Sequence, residues 1–96
     1  MSPEMMERMQ QMADSEPIGA TMKFVMGNNI FFIDGTGAKN EFSQEDKEAD
    51  CTITMAESAF EKLLKGKLNP MMAVMTGKIK ISGDMSVAMK LQNMLG

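Results

Sequence analysis

The chain has 96 residues, 44% of them hydrophobic and 24% charged, and its net charge of -3 argues against a nucleic-acid binder, which normally carries a basic surplus. This length predicts one globular domain over residues 1–96, and the short apolar runs and early acidic residues exclude a membrane span and a secretory leader, so we expect a cytoplasmic protein. Because the chain has no histidine and one cysteine, we expect no hydrolase triad, no metal site and no cofactor.

The N-terminal residues predict a short amphipathic helix over 3–13. Met5, Met9 and Met12 recur there at helical spacing, with Met6 beside them. Such a stripe is typical of a helix that covers one face of a sheet, although a mobile lid or a dimer contact would need the same pattern. The sulfurs of Met6, Met9 and Met12, which are three residues apart, also suit copper(I). Without histidine or a second cysteine, the apolar stripe of a helix is the better interpretation.

Residues 19–42 predict a β-hairpin, because hydrophobic and polar residues alternate there with a period of two. The first strand runs through Phe24. Asn28 and Asn29 are turn residues, and the apolar run 30–33 forms the second strand.

The centre of the chain predicts two further strands. A weak strand near 39–43 is followed by a solvated acidic loop over 45–48, and residues 51–55 then alternate again. Cys51 lies on the apolar side of this last strand. We interpret it as a small buried hydrophobic residue rather than a nucleophile, because nothing nearby in the sequence is suited to activate it.

The C-terminal third predicts three helices and one strand. The helices lie near 56–65, from Asn69-Pro70 to Gly77, and over 85–95, and a half-exposed edge strand at 78–82 precedes the last helix. Gln92 falls within the apolar arc of the last helix, where a polar side chain needs a partner. It either bonds to the backbone or contacts a ligand.

The chain contains 14 methionines, five phenylalanines and no tryptophan or tyrosine. Methionine is unbranched and polarisable, so it adapts to ligands of different shapes. A methionine-rich interior is therefore typical of an adaptable apolar pocket.

Charge is distributed unevenly along the chain. Residues 1–61 carry 12 acidic and 4 basic side chains, whereas residues 62–96 carry six lysines against Asp84. The lysines are either scattered solvated charges or a basic face directed at anionic lipid head groups.

Three segments, 48–55, 66–70 and 77–92, resemble the sterol carrier protein 2 domain family. The last is the most specific, because it joins Gly-Lys-x-Lys-x-x-Gly-x-Met to Ala-Met-Lys-Leu-Gln. The resemblance implies an α+β fold in which a five-stranded, mostly antiparallel sheet is covered by helices. It also implies a hydrophobic tunnel for fatty acids, fatty acyl-CoA, phospholipids or sterol-like lipids.

Mapped onto this chain, the tunnel of similar proteins would be lined by residues of the sheet, of the short helix before the last strand and of the final helix. These lipid-binding residues are Phe24, Phe31, Ile33, Met72, Val74, Met75, Met85, Met89 and Gln92. The chain resembles the compact prokaryotic form, and its flexible methionines favour acyl chains over a rigid sterol.

The leading hypothesis is a non-catalytic carrier that removes a lipid tail from water and presents it to a membrane or an enzyme. If the lysines form a basic face, this carrier would make transient contact with an anionic membrane surface. The alternative is a structural or regulatory module, a homodimer formed through Met5, Met9 and Met12 with a vestigial cavity. The sequence leaves the oligomeric state open.

Overall fold

A computed structural model of the chain describes residues 3–14 and 16–95, and its description of side chains does not extend to Met5, Met12, Ala13 or residues 91–95. Five strands and four helices follow one another within these residues. They are α1 (Pro3–Ala13), β1 (Thr21–Met26), β2 (Asn29–Asp34), β3 (Glu41–Ser43), β4 (Cys51–Met55), α2 (Glu57–Leu64), α3 (Pro70–Met75), β5 (Ile79–Gly83) and α4 (Met85–Leu95).

The predicted elements are confirmed, with small shifts at their ends. Helices α1 and α4 have the predicted bounds, whereas β3 begins at Glu41 rather than near residue 39. The hairpin turn lies at Gly27 and Asn28, and Asn29 already belongs to β2. Turn residues thus located the hairpin to within one position.

The sheet has the strand order β3-β2-β1-β4-β5. Strands β1 and β4 are parallel, and the three other pairs are antiparallel, so the prediction of a mostly antiparallel sheet is confirmed. Strand β5 lies at one edge, as its half-exposed pattern predicted. This edge position leaves one flank of β5 open for the site described below.

One face of the sheet forms the floor of the hydrophobic core. The strand register places Phe31, Phe24, Ile53 and Ile81 in one row across β2, β1, β4 and β5. The ring of Phe24 packs against that of Phe60 on α2, with centroids 5.7 Å apart. Tilted aromatic pairs at this distance contribute roughly 0.5–1.5 kcal/mol beyond the burial of their area. Helix α2 is thereby fixed over the middle of the sheet.

Helix α1 covers the same face of the sheet, as its apolar stripe predicted. Met9 is completely buried in the core, and the Arg8 guanidinium donates a hydrogen bond of 3.0 Å to the carbonyl oxygen of Leu64 at the end of α2. The contact also satisfies one of the carbonyls that a helix leaves unpaired at its C-terminus. The two helices are therefore joined by both packing and a hydrogen bond.

The acidic loop after β3 is exposed, as predicted, yet two of its side chains contact the opposite face of the sheet. Lys47 lies over the ring of Phe32, 5.7 Å from its centroid, and Asp46 pairs with Lys23 at 3.0 Å. These contacts leave Phe32 only 5% exposed, although it points away from the core. The loop thus covers the one large aromatic side chain on that face.

Asp50 joins the starts of β1, β4 and α4. Its carboxylate accepts hydrogen bonds from the backbone N–H and the hydroxyl of Thr21, at 2.9 and 3.2 Å, and its carbonyl oxygen accepts the N–H of Asp84 at 2.8 Å. Gly83 lies against this same carbonyl with φ of +102°, a conformation that side chains disfavour.

Gly83→Ala is expected to lower the free energy of unfolding by about 1–3 kcal/mol, because the new Cβ would both collide with the Asp50 carbonyl oxygen and occupy a strained backbone region. Urea denaturation followed by circular dichroism measures the change. Gly37→Ala is the matched control, since a Cβ there meets nothing within 4 Å and φ is not in the strained range. Equal stability of the two variants would contradict the prediction.

Candidate functional site

An apolar groove lies between α3, β5 and α4, beside the open edge of the sheet. Its volume is about 200 Å³. Every lining residue whose side chain the structure describes is hydrophobic: Pro70, Met71, Val74, Met75, Ile81, Met85, Ala88 and Met89. An apolar concavity of this kind accepts hydrocarbon, since it offers van der Waals contact without polar groups to desolvate.

Helix α3 forms one wall of the groove because its N-terminus is capped and one of its faces is buried in the core. The side chain of Asn69 accepts the backbone N–H groups of Met71 and Met72 at 2.9 and 3.3 Å, which caps the N-terminus. Ala73 is completely buried and fixes the helix to the core. With that face anchored, Met71 and Met75 point away from the core and are 56% and 78% exposed.

Helix α4 forms the other wall, and Asp84 caps it. The Asp84 carboxylate accepts hydrogen bonds from the hydroxyl and the backbone N–H of Ser86, at 2.6 and 2.9 Å, and these bonds lower the pKa of Asp84 below its usual value. Ala88 is buried against the sheet, while Met85 and Met89 remain 54% and 69% exposed. The cap and the small buried alanine hold both methionines at the groove.

Ile81 of β5 forms the floor of the groove and connects it with the core. It is half-buried and lies beside Ile53, the next member of the cross-strand row, followed by Phe24 and Phe31. The groove and the centre of the core therefore lie along the same line of side chains.

The structure brings four of the nine predicted lipid-binding residues together in the groove. These are Val74, Met75, Met85 and Met89. Phe24, Phe31 and Ile33 are completely buried in the core and do not line it. Met72 is 54% exposed and also lies outside the lining, and the side chain of Gln92 falls outside the described residues.

Four lining residues were missing from the prediction: Pro70, Met71, Ile81 and Ala88. Helical spacing could have found two of them, because Met71 lies three and four residues before Val74 and Met75, and Ala88 lies between Met85 and Met89 on one face of α4. Alternation in β5 could have found Ile81. Three of the residues that the resemblance implied, Phe24, Phe31 and Ile33, lie instead on the central strands β1 and β2.

The groove is open to solvent and smaller than the roughly 300–1,000 Å³ of common ligand pockets. A groove of this volume has room for only part of a long acyl chain. The enclosed tunnel that the resemblance implies stays a prediction.

A second cleft lies between α2 and the segments that flank α3. Its volume is about 250 Å³, and Lys62 and Lys78 contribute their side chains to its lining. The other lining residues are Ala56, Ser58, Ala59 and Leu68. This cleft is cationic where the groove is apolar.

Cys51 is buried in β4, as predicted. Burial raises the pKa of its thiol, and the negative charge of Asp84 raises it further. The thiol therefore stays protonated near neutral pH, which is the unreactive form.

Within residues 3–14 and 16–95, no cluster of three or more His, Cys, Asp or Glu side chains could hold a metal ion. The helices described there are also too short or too polar to cross a membrane.

The alternative of a homodimer formed through the α1 methionines is not supported by the position of Met9. This side chain is completely buried in the core of its own chain, so it cannot form a dimer contact. Met5 and Met12 have side chains outside the described residues.

Residues 5–96 match the SCP-2 sterol transfer family. The matched segment includes the described lining of the groove and all five strands of the sheet. The chain belongs to this family. A segment of 58 residues, or 60% of the chain, is 53% identical to sterol carrier protein 2 of Homo sapiens. That segment spans only 11% of the length of the human protein.

Solved structures of the SCP-2 family have the same fold. The sterol carrier protein domain 2 of Helicoverpa armigera is 27% identical, with a TM-score of 0.77 over 96% of this chain and 82% of that one. Sterol carrier protein 2 of Aedes aegypti, solved as a complex with palmitate, is 17% identical with a TM-score of 0.77, over 100% of this chain and 97% of that one. These likenesses confirm the α+β fold and its sheet covered by helices.

Proposed function

We propose that this SCP-2 family chain is a non-catalytic carrier that binds the acyl chain of a fatty acid or fatty acyl-CoA in the groove between α3, β5 and α4. The observation that carries the proposal is the groove lining, in which all eight residues with described side chains are hydrophobic. The palmitate bound by the Aedes aegypti relative supports the same ligand class. Flexible methionines favour acyl chains over rigid sterol-like lipids. A cytoplasmic location stays a prediction.

Hydrocarbon burial contributes a large part of the free energy of such binding. Each methylene removed from water contributes up to about 0.8 kcal/mol, so ten methylenes contribute up to roughly 8 kcal/mol before the costs of association. Net binding in the micromolar range, about 8 kcal/mol, requires more buried methylenes or a polar head-group contact. Gln92 stays the predicted residue for such a contact.

An acyl chain that is longer than the groove could extend into the core along the cross-strand row of apolar side chains. Beyond Ile81 the cross-strand row continues through Ile53 to Phe24 and Phe31. Separation of α3 or α4 from the sheet would open this row to the ligand. In this proposal Phe24, Phe31 and Ile33 contact the lipid only in that opened form.

We expect saturable binding of fatty acids with an affinity that rises with chain length, because each added methylene buries more apolar area. Isothermal titration calorimetry over saturated chains from about C8 to C18 measures it, below the concentration at which each forms micelles. If the affinity continues to rise up to the longest acyl chains, the protein opens toward Phe24 to admit them. If the affinity stops rising at a short chain length, the ligand occupies the groove alone. Affinity independent of chain length would contradict the proposal.

A pair of matched variants identifies the site. Met85→Gln with Met89→Gln keeps side-chain length and helix propensity but places amides in the groove, so fatty-acid affinity should fall by about tenfold or more. Met72→Gln makes the same chemical change on α3 outside the lining and should leave the affinity in solution unchanged. If Met72→Gln weakens binding as much as the groove pair does, the ligand does not occupy the groove.

A further inference from the structure

The cleft between α2 and the segments that flank α3 is not used by the proposed binding of an acyl chain. Its volume of about 250 Å³ exceeds that of the groove. Lys62, Lys78 and Ser58 line it, and no carboxylate belongs to its described lining. Two ammonium groups and a hydroxyl donate hydrogen bonds, so the cleft suits an anion with several acceptor oxygens.

The polar groups of the cleft have no partners in the part of the chain that the structure describes. Neither Lys62 nor Lys78 forms an ion pair there, and the hydroxyl of Ser58 forms no hydrogen bond. Glu61, which lies beside Lys62 in the sequence, pairs with Lys65 at 2.7 Å. Both lysine charges are therefore available to an anionic ligand.

The backbone holds these groups around one space. Ser58 and Lys62 lie one helical turn apart on α2, so their side chains occupy the same face of the helix. Ala59 is buried between them, and its small side chain leaves the cleft deep. On the other side, the N–H of Lys78 donates a hydrogen bond of 2.8 Å to the carbonyl oxygen of Ala73, which ties this segment to α3.

The cleft lies close to the groove. Lys78 lines the cleft, and Ile81, three residues later, forms the floor of the groove. Three residues of chain span at most about 11 Å, so the Cα atoms of Lys78 and Ile81 are no farther apart than this. One ligand can therefore place its hydrocarbon chain on Ile81 and an anionic head group at Lys78.

We propose that the cleft of Lys62 and Lys78 is a subsite for the phosphate group of an acylated ligand whose hydrocarbon chain lies in the groove. This inference rests on the proposed carrier function and ranks its ligands, because an acyl compound with a phosphate should bind more tightly than its counterpart without one. A phosphate monoester offers three acceptor oxygens and nearly two negative charges to the two lysines. Acyl-CoA and single-chain phospholipids both supply a phosphate group.

Two pairs of ligands test the subsite, each titrated below its micelle concentration. Palmitoyl-CoA is compared with S-palmitoylpantetheine, and palmitoyl lysophosphatidic acid is compared with monopalmitoylglycerol. Calorimetry should show that the phosphorylated member of at least one pair binds about fivefold or more tightly, and that this preference falls as salt rises. The pair that shows the preference identifies the source of the phosphate. Equal affinities within both pairs would overturn the subsite.

Matched variants identify the residues that bind the phosphate. Lys78→Gln should reduce the affinity for the preferred phosphorylated ligand by about fivefold and change that for its counterpart little. Lys80→Gln removes the same charge from the face of β5 opposite Ile81 and should leave both affinities unchanged. Ser58→Asp places a carboxylate one turn before Lys62 and should also reduce the preference, while an acidic residue in the first turn favours α2. Thermal unfolding establishes that each variant is folded.

The outcomes separate the phosphate subsite from lipid carriage. Equal losses for Lys78→Gln and Lys80→Gln would indicate attraction by net charge and overturn the assignment of the cleft. Free CoA and glycerol phosphate, added to the isotope-labelled chain, test the cleft without an acyl group. Amide shifts centred on Ser58, Lys62 and Lys78 would support the subsite even if no acyl compound bound, a result that would refute the carrier function alone. Absence of these shifts together with equal affinities within both ligand pairs would overturn the subsite and leave carriage standing.

Discussion

Phe24→Ala is expected to lower the free energy of unfolding by about 3–5 kcal/mol, because the side chain is completely buried and the truncation leaves a cavity at the centre of the core. The variant also removes the ring that packs against Phe60 and so loosens α2. A domain of this size is stable by only roughly 5–14 kcal/mol, so the loss is a large share of the total. Urea denaturation measures it.

Phe24→Leu keeps most of the volume and is the companion variant if Phe24→Ala does not fold. It should cost less stability, about 1–2 kcal/mol. Its affinity for octanoate should match that of the unaltered chain, because Ile81 and not Phe24 forms the groove floor. A change confined to palmitate would support extension of the long chain along the cross-strand row. A loss below about 1 kcal/mol for Phe24→Ala would contradict close packing at this site.

Local sequence patterns were sufficient to predict most of the fold. A period of two through Phe24 located β1, and the Gly83-Asp84 pair placed the start of α4, since aspartate caps a helix by bonding to its first free N–H groups. Both signals depend on residues within a few positions of each other. Patterns of this range predict elements and their buried faces well.

The position of the site required contacts between distant parts of the chain. Alternation predicts that Phe24 is buried, but only the approach of α2 determines that Phe60 covers it instead of a ligand. The groove forms because β5 pairs with β4 at the sheet edge while α3 and α4 lie on either side of Ile81. No local signal specifies these distances, which explains why the predicted aromatic contacts lie in the core.

The charge pattern of the sequence indicated only in part which lysines lie together on the surface. The sequence left open whether the lysines of the second half of the chain are scattered or form a face. The structure locates Lys62 and Lys78 at one cleft. The charge of Lys65 is neutralised by an ion pair, because Glu61 lies one helical turn earlier and pairs with it. The Glu-Lys spacing of four residues is visible in the sequence and anticipates that pair.

Oxidation of the exposed methionines is expected to abolish most fatty-acid binding while the fold survives. Peroxide transfers one oxygen atom to the thioether sulfur and is reduced to water, and the resulting sulfoxide is polar. Met71, Met75, Met85 and Met89 line the groove and are 54–78% exposed, so they should react before the core methionines, which are 0–4% exposed: Met9, Met22, Met26 and Met55.

If each lining sulfoxide forfeits about 0.5–1 kcal/mol of apolar contact with the ligand, four of them reduce the affinity by roughly 30- to 1,000-fold. Mass spectrometry of peptides after limited peroxide treatment identifies the oxidised positions, calorimetry measures the affinity, and circular dichroism monitors the fold. Replacing the four lining methionines by leucine gives the control, because leucine preserves an apolar groove that peroxide cannot oxidise. This variant should bind fatty acids before and after treatment, and methionine sulfoxide reductases should restore binding to the oxidised native chain. Equal inactivation of both proteins by peroxide would place the sensitive residues outside the groove and contradict its assignment as the lipid site.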